Sequence, residues 1–258
     1  MSAVNRDARV GIVILAAGEG KRMGSTIPKV MQTLRGKPLV EYVVQAAEGS
    51  ALGGKPVVVV GARNTAVQDY LRERAEYAVQ TEQLGTGHAV ATTENQLTGK
   101  ADQLVVLYGD MPFITSDSII RLVAEHRQQN NTVTFMTINV PDFSGGRQYF
   151  YDFSRVVRDA AGKIVKDVQR KDASPAELKI RELNTCYFCF RANWLWDNLR
   201  MLQNNNAQRE YYLTDLINLA IHAGERVGTL AVPELEAVGV NTPEHLEWAQ
   251  SLSDIPAQ

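Results

Sequence analysis

The sequence has little of the chemistry that marks several special classes of protein. Its 258 residues include only two cysteines, too few for a disulfide-dense secreted scaffold. The formal net charge is −2, so no bulk positive field draws the protein to nucleic acid or to an anionic membrane. No apolar run approaches the ~20 residues that span a bilayer, and residues 1–7 contain no apolar leader segment. We therefore expect a cytoplasmic globular protein that binds neither nucleic acid nor membrane.

The two cysteines, Cys186 and Cys189, have the spacing C-x-x-C, which occurs in redox and metal sites. No second cysteine pair or histidine cluster follows them to complete a zinc site. The alternation of apolar and polar residues around them favours a strand, in which residues three apart point to opposite faces. We expect two buried free thiols.

Apolar runs and helical patterns alternate along the first 140 residues. Continuous apolar runs are typical of strands that are buried on both faces of a parallel sheet. The predicted strands are 10–17, 56–61, 77–80, 103–108 and 132–140, and the predicted helices are 38–48, 65–75, 87–96 and 116–129. This order predicts an α/β protein with a Rossmann-like, open, mostly parallel (mixed) sheet and helices on both faces.

After residue 141 the pattern changes to short strands separated by turns, followed by further helices. The predicted strands are 155–158, 163–169, 183–190 and 228–232, and the predicted helices are 193–202, 213–223 and 243–250. There is no linker or internal repeat. We therefore expect a single domain over residues 1–258, with a core at 8–140 and a smaller β-rich lobe at 141–258.

A glycine-rich, basic loop at residues 15–29 follows the first predicted strand. Its glycines can take positive φ and approach a ligand closely, and successive backbone amides in such a loop form an anion-binding nest. The glycines are Gly18, Gly20 and Gly24, and the cations are Lys21, Arg22 and Lys29. The loop matches neither the Walker pattern nor the dinucleotide fingerprint. It predicts a phosphate-binding loop, and the alternative is a simple tight turn.

This loop is the first of five motifs that occur in the same order in the sugar-1-phosphate nucleotidyltransferases. It reads Leu15-Ala16-Ala17-Gly18-x-Gly20-x-Arg22-Met23-Gly24, followed by Pro28-Lys29. The others lie at residues 80–89, 107–112, 204–215 and 239–241. The chain therefore resembles this family and, within it, the uridylyltransferase half of the bacterial bifunctional N-acetylglucosamine-1-phosphate uridylyltransferases. The hexapeptide repeats of their acetyltransferase half are not found in this sequence.

The resemblance implies a Mg²⁺-dependent enzyme that uses UTP and a sugar-1-phosphate to make a UDP-sugar and pyrophosphate. It assigns catalysis to Arg22 and Lys29, and metal binding to Asp110 and Asn241. It assigns nucleotide binding to Leu15, Ala16, Ala17, Gly18, Gln80, Gly85 and Thr86, and sugar binding in the second lobe to Tyr108, Ser154, Gln169 and Asn184. The trimer of the bifunctional enzymes is built by their acetyltransferase half, so we expect a monomer or a small homo-oligomer here.

Several of these residues have a second interpretation when the family is set aside. Asp110 follows a buried strand at the edge where open α/β sheets bind ligands, and its carboxylate suits Mg²⁺, but it could instead cap the next helix. Gln80 reads as a surface polar residue, and Asn241 as a loop residue before Pro243. His88 lies near a predicted helix start, and we expect a structural role for it.

The sugar side departs from the family pattern. The family's Gly-Tyr-Gly-Arg run is replaced by Asp152-Phe153-Ser154-Arg155, so Cβ atoms limit the approach of the backbone. A glutamate of the family is replaced by Gln169, which loses the charge and gains two donors. The aromatic stretch 143–151 is either a loop over the sugar pocket or a surface loop. We hypothesise a sugar-1-phosphate other than, or broader than, N-acetylglucosamine-1-phosphate.

Two alternative functions remain open from the sequence. One is a nucleotidyltransferase that uses another nucleotide, such as a cytidylyltransferase or a molybdopterin-type enzyme, because these share the first loop. The motifs at 80–89 and 204–215 argue against it. The other is a catalytically idle module that binds a nucleotide sugar, which the changes at Ser154 and Gln169 leave possible.

Overall fold

The strands and helices follow one another in an α/β order. In this computed structural model, residues 8–18, 20–24, 27–206 and 208–252 are described, and the side chain of Lys21, one of the predicted loop cations, lies outside the described part. The strands are β1 Val10–Leu15, β2 Thr33–Leu34, β3 Lys37–Pro38, β4 Val57–Gly61, β5 Glu76–Gln80, β6 Gln103–Tyr108, β7 Val133–Asn139, β8 Arg155–Arg158, β9 Ile164–Val168, β10 Glu182–Arg191 and β11 Val227–Ala231. The helices are α1 Leu39–Ser50, α2 Ala66–Leu71, α3 Thr86–Ala91, α4 Glu94–Leu97, α5 Ser116–Gln128, α6 Ala192–Leu199, α7 Asp215–His222 and α8 Pro243–Ser251.

Nine of these strands form one twisted sheet whose main order is β11-β7-β10-β6-β1-β4-β5, and β8 and β9 extend it from β10. The pairs β6–β1, β1–β4, β4–β5 and β11–β7 are parallel. Only β10 runs against its neighbours β6 and β7 in the main order. The predicted fold class, a mostly parallel mixed sheet of Rossmann-like type, is therefore confirmed.

Helices cover both faces of the sheet because successive residues of each buried strand point to opposite sides. Along β1, Ile12 and Ile14 pack into one apolar layer with α1 and α5. Val13 and Leu15 pack into the other layer, with α6 and α7. This double burial is the reason that β1 reads as a continuous apolar run in the sequence. Among the described residues, no helix is long and apolar enough to cross a bilayer.

Two predicted helices need correction, and one hairpin was not predicted. The helix predicted at 87–96 is interrupted between α3 and α4, where Thr92 and Thr93 donate their hydroxyls to the carbonyls of Ala89 and Val90, a side-chain bond that competes with the helix. The helix predicted at 65–75 ends at Leu71 and continues as a short 3-10 turn. The hairpin of β2 and β3 was not predicted, because each strand has only two residues.

The prediction for the cysteines is right in part. Both thiols are free, and Cys189 is buried. Cys186 is only partly buried, because a register shift in β10 between Asn184 and Phe188 breaks the alternation of the strand. Cys186 stands in this irregular stretch at φ 66°, and Asn184 supports it by accepting a hydrogen bond from the Cys186 amide at 2.8 Å. Cys186 thereby lies at the wall of a cavity described below.

We expect Phe188→Ala to lower the free energy of unfolding by about 3–5 kcal/mol, the usual cost of truncating a buried aromatic side chain. Phe188 is fully buried, pairs with both Val106 and Phe135, and so loses contacts on two strands at once. Denaturant unfolding measures the change. Val165→Ala on β9, at a side chain that is 41% exposed, is the control and should stay within about 0.5 kcal/mol. Equal losses in the two variants would contradict the central position of β10.

Candidate active site

The glycine-rich loop starts from the carboxyl end of β1, at the edge of the sheet where open α/β folds bind ligands. Two backbone hydrogen bonds fix its start. The amide of Ala16 donates to the carbonyl of Val59 at 2.9 Å, and the amide of Gly109 donates to the carbonyl of Leu15 at 2.9 Å. The first loop and the end of β6 are therefore held side by side.

Two of the three loop glycines have the predicted left-handed conformation. Gly20 has φ 66° and Gly24 has φ 61°. A Cβ at Gly20 would lie 2.8 Å from the Cβ of Lys29, so the absence of a side chain there lets the loop fold back onto Lys29. Gly18 is not among the glycines with positive φ. The space around Gly18 is open, which leaves its backbone accessible to a ligand.

A cation lies between the two predicted metal ligands. The Lys29 Nζ donates to Asn241 Oδ1 at 2.8 Å and makes a short ion pair with Asp110 Oδ2. The Lys29 and Asp110 side chains are only 17% and 11% exposed. The amide of Val240 donates to the carbonyl of Asp110 at 2.9 Å, which ties the two ligand-bearing loops together. A carboxylate oxygen and an amide oxygen therefore both contact one positively charged group.

These two oxygens fit Mg²⁺, which prefers hard oxygen ligands and completes its shell with water and substrate phosphates. No group of three or more histidine, cysteine or carboxylate side chains suited to a metal occurs within the described residues. A bound Mg²⁺ would therefore depend on Asp110, Asn241 and ligand oxygens rather than on a closed protein cage.

The predicted site residues line three adjoining cavities. One of about 290 Å³ is lined by Ala16, Ala17, Gly18 and Gln80 among others. A second of about 200 Å³ adds Leu15, Gly85, Thr86, Tyr108 and Asp110. The third, of about 320 Å³, is lined among others by Arg22, Lys29, Tyr108, Asp110, Ser154, Gln169, Asn184 and Asn241. The structure thus brings all of the predicted residues to the walls of one continuous depression, with Lys29, Tyr108 and Asp110 shared between its two halves.

Gln80 is buried rather than a surface residue, being only 4% exposed. Its Nε2 lies 3.1 Å from the carbonyl of Gly85 and 3.1 Å from His88 Nδ1. In this arrangement both amide hydrogens of Gln80 are used and Oε1 is left to accept a hydrogen bond. His88 thus contacts Gln80 and helps to orient its side chain.

Two of the predicted motifs form one structural unit. Gly85 has φ 109° and ψ 178°, a conformation essentially restricted to glycine. A Cβ there would lie 2.7 Å from both the nitrogen and the oxygen of Tyr211. The amide of Tyr211 donates to the carbonyl of Leu84 at 2.7 Å, and the amide of Gly87 donates back to Tyr211 at 2.8 Å. The segment 80–89 is thus paired directly with the segment 204–215.

Two polar residues at the wall of the third cavity, Ser154 and Asn184, are connected through the carboxylate of Asp167, which the sequence analysis did not identify. Asp167 accepts hydrogen bonds from Ser154 Oγ at 3.0 Å and from Asn184 Nδ2 at 3.2 Å. Gln169 donates to the hydroxyl of Thr214 at 3.1 Å. Burial raises the pKa of Asp167 to about 7, although both hydrogen bonds act to lower it. In the sequence, an aspartate within a short strand carries no signal for such a role.

The aromatic stretch 143–151 contributes to the wall of this cavity. It forms a 3-10 helix, Gly145–Asp152, whose Tyr149 ring packs against His245 at 4.3 Å and against Trp248 at 5.2 Å between ring centroids. All three side chains line the cavity. Behind them, the fully buried Arg155 lies between two aromatic rings, at 5.1 Å from each. Of the two alternatives for this stretch, the structure therefore supports the one that places it over the pocket.

Residues 12–210 match the family of MobA-like NTP transferase domains. The chain belongs to this family. Its curated relatives include the bifunctional protein GlmU of an Exiguobacterium species, which is 44% identical over 241 residues, covering 93% of this chain and 52% of the relative. GlmU of Lactobacillus delbrueckii subsp. bulgaricus is 40% identical over 231 residues, covering 89% and 48%. The chain thus spans about half the length of the curated relatives it matches.

Two solved structures show the same fold at low sequence identity. A CMP:2-keto-3-deoxy-manno-octonic acid synthetase in complex with CTP has a TM-score of 0.70 at 19% identity, over 95% of this chain and 98% of the other. A candidate glucose-1-phosphate thymidylyltransferase from Bacillus anthracis, in complex with sucrose, has a TM-score of 0.76 at 17% identity, over 96% and 97%. The NTP transferase family match covers the elements from β1 to the segment at 204–210, which includes most of the depression.

We expect Gly85→Ala to lower the free energy of unfolding by about 1–3 kcal/mol, because the new Cβ meets the Tyr211 backbone and alanine disfavours this φ/ψ region. Thermal and denaturant unfolding measure the loss. Gly54→Ala is the matched control, since a Cβ there meets nothing within 4 Å. A Gly85→Ala variant as stable as Gly54→Ala would contradict the close pairing with Tyr211.

Proposed function

We propose that this chain is a Mg²⁺-dependent nucleotidyltransferase that forms a UDP-sugar and pyrophosphate from UTP and a sugar-1-phosphate. The observation that carries this proposal is the convergence of Asp110, Asn241 and Lys29 at the junction between the two halves of the depression. Positive charge at that junction would meet the phosphates of both substrates.

The nucleotide would lie along the first loop and β4. The backbone of residues 16–18 borders the cavity and would offer amide hydrogens to phosphate oxygens. Gln80 offers the acceptor Oε1 towards a base. Uracil and thymine carry an imide N–H that can donate to such an acceptor, whereas the same ring nitrogen of cytosine has no hydrogen. This polarity favours UTP over CTP.

The metal would be held by Asp110 and Asn241, the pair that now accepts hydrogen bonds from Lys29. When bound, Mg²⁺ would neutralise charge on the phosphates of both substrates. Lys29 would then leave the two oxygens and direct its ammonium group to the phosphates, together with Arg22, which lines the same cavity.

The chemistry would be an in-line displacement. A phosphate oxygen of the sugar-1-phosphate attacks the α-phosphorus of UTP, the new P–O bond forms, and the bond to the leaving pyrophosphate breaks. The attacking phosphate is already an anion, so no protein group has to remove a proton. The protein contributes positioning and charge stabilisation, which dominate phosphoryl-type transfers. Arg22 and Lys29 would stabilise the charge on the α-phosphate and on the departing pyrophosphate.

The sugar would occupy the cavity between Ser154, Gln169, Asn184 and the aromatic wall of Tyr149. Ser154 is buried, and its hydroxyl is already bonded to Asp167. The backbone approach that a glycine would allow is therefore blocked by a side chain. For this reason we propose a sugar-1-phosphate other than, or broader than, N-acetylglucosamine-1-phosphate.

The direct test is pyrophosphate release from a panel of nucleoside triphosphates and sugar-1-phosphates, with Mg²⁺ and with excess EDTA. We expect turnover with UTP and loss of turnover in EDTA, restored by added Mg²⁺. Preference for another triphosphate would contradict the UTP assignment alone. Strict preference for N-acetylglucosamine-1-phosphate would contradict the remodelled sugar site. Absence of turnover with any pair would support an idle binding module.

We expect Lys29→Ala to lower kcat/KM by at least about 100-fold, or ~2.7 kcal/mol of transition-state stabilisation, because its ammonium group is needed on the phosphates. Steady-state pyrophosphate release measures the loss. Lys100→Ala, at an exposed lysine outside the depression, is the matched control and should keep wild-type turnover. Wild-type turnover by Lys29→Ala would exclude this role for Lys29.

A further inference from the structure

Asp167 lies behind the third cavity and is fixed from two sides. It stands on β9, and only 4% of it is exposed. Its amide donates to Asn218 Oδ1 at 3.0 Å, and Asn218 Nδ2 donates to its carbonyl at 2.8 Å. Its Oδ2 accepts the hydrogen bonds of Ser154 and Asn184. The carboxyl group therefore holds both side chains against a rigid backbone position.

These bonds determine which hydrogen-bonding groups remain for a ligand. Ser154 has a single hydroxyl hydrogen, and it is donated to Asp167, so its oxygen can only accept. Asn184 Oδ1 accepts from the Cys186 amide and one Nδ2 hydrogen is donated to Asp167, which leaves one N–H donor. Gln169 Nε2 donates to Thr214, which leaves Oε1 as an acceptor.

We propose that Asp167 is a positioning residue that sets two of the three hydrogen-bonding groups of the sugar pocket, the acceptor Ser154 Oγ and the Asn184 N–H donor, which act beside the acceptor Gln169 Oε1. The proposal rests on the proposed function for the identity of the ligand. The complementary ligand is a phosphorylated polyhydroxylated ring that donates through two hydroxyl groups and accepts at a third position.

The charge of Asp167 controls this pattern. Its pKa is raised to about 7, chiefly by burial and to a smaller extent by the nearby charge of Asp215 on α7. The residue paired with it on β8, Val156, is uncharged. Cys186 on β10 also interacts with Asp167. The pKa of the Cys186 thiol is raised to about 12, so the thiol stays neutral between pH 6 and pH 8.

The sign of the pH effect follows from the single hydrogen between Asp167 and Ser154. Above pH 7 the carboxylate accepts from Ser154, and the serine oxygen faces the ligand as an acceptor. Below pH 7 the protonated carboxyl can donate to Ser154, whose own hydrogen then points away from Asp167. The pocket loses one acceptor, so the KM for the sugar phosphate should rise as the pH falls through 7.

The first experiment compares the KM for the sugar phosphate at pH 6 and pH 8 in the wild type, Asp167→Asn and Asp117→Asn. Asp117 is the matched control, an exposed aspartate on α5 with 77% of its side chain accessible. Titration of the substrates' own phosphates is common to all three proteins. We expect the KM at pH 6 divided by the KM at pH 8 to be about tenfold larger in the wild type and in Asp117→Asn than in Asp167→Asn. A single titrating group of pKa about 7 predicts a change of this size. Equal ratios would overturn the proposal.

The second experiment removes the acceptor with Asp167→Leu. Ser154 and Asn184 are then free to reorient, and two oriented hydrogen bonds are lost. We expect the KM for the sugar phosphate at pH 8 to rise by about tenfold or more, with the KM for UTP close to that of the wild type. A parallel rise in both KM values would indicate general damage and overturn a specific role. If this variant does not fold, Ser154→Ala tests the same acceptor and should also lose the excess pH dependence.

Calorimetric titration with glucose 1-phosphate and N-acetylglucosamine 1-phosphate separates this proposal from the function itself. If the wild type binds a sugar phosphate without turnover, the proposed activity fails, and the affinities of the variants at pH 6 and pH 8 still test Asp167. If the wild type turns over and Asp167→Asn keeps the full pH dependence, only the role of Asp167 fails. If neither sugar phosphate binds and none is turned over, both proposals fail.

Discussion

The contact of the Lys29 ammonium group with Asp110 and Asn241 joins three segments that are far apart in the sequence. Each segment leaves a different part of the fold: the first loop after β1, the end of β6, and the turn before α8. The Lys29 ammonium group supplies the partner of opposite charge that the partly buried Asp110 carboxylate needs. The shape of the depression on both sides therefore depends on this one cluster.

The third cavity depends on the same arrangement through β10. This strand lies between β6 and β7 and carries Asn184 and Cys186 at its irregular stretch. Tyr187, next to them, is fully buried and donates towards the carbonyls of Met111 and Glu236 at 3.2 and 3.1 Å. The irregularity is thus anchored on the loop that follows Asp110. A shift of the loop after Asp110 would therefore be transmitted directly to Asn184 and Cys186 at the wall of the third cavity.

Much of the fold could be predicted because buried parallel strands have a clear apolar signature. The bounds of β6 and β8 agree with those expected from the sequence, and α5 differs by one residue. The break at Thr92 was missed because a hydrogen bond from a threonine hydroxyl to a backbone carbonyl produces no periodic pattern in the sequence. In the candidate site, the glycine-rich loop and Asp110 could be selected from residue type and position, whereas Asn241 depends on family resemblance alone.

The errors at the site have a common physical origin. Gln80 reads as exposed because its side-chain partners, the Gly85 carbonyl and His88, lie outside its own strand. Asp167 reads as an ordinary polar residue because its partners lie elsewhere in the sequence, Ser154 just before β8 and Asn184 on β10. Hydrogen bonds between side chains distant in sequence have no local pattern, so sequence reasoning names the residues at the pocket wall and misses the one that orients them.

The position of β10 also constrains how the chain can be made. The neighbours of β7 in the sheet are β10 and β11, so β7 has no partner among the strands that precede it. During synthesis, β7 cannot pair along its full length with β10 until residue 191 has been added. Until then β6 and β7 both present unpaired backbone edges, which invite association between chains. The sheet is therefore completed only after β10 and β11 have been made, and the exposure of these edges during synthesis is a consequence of the topology.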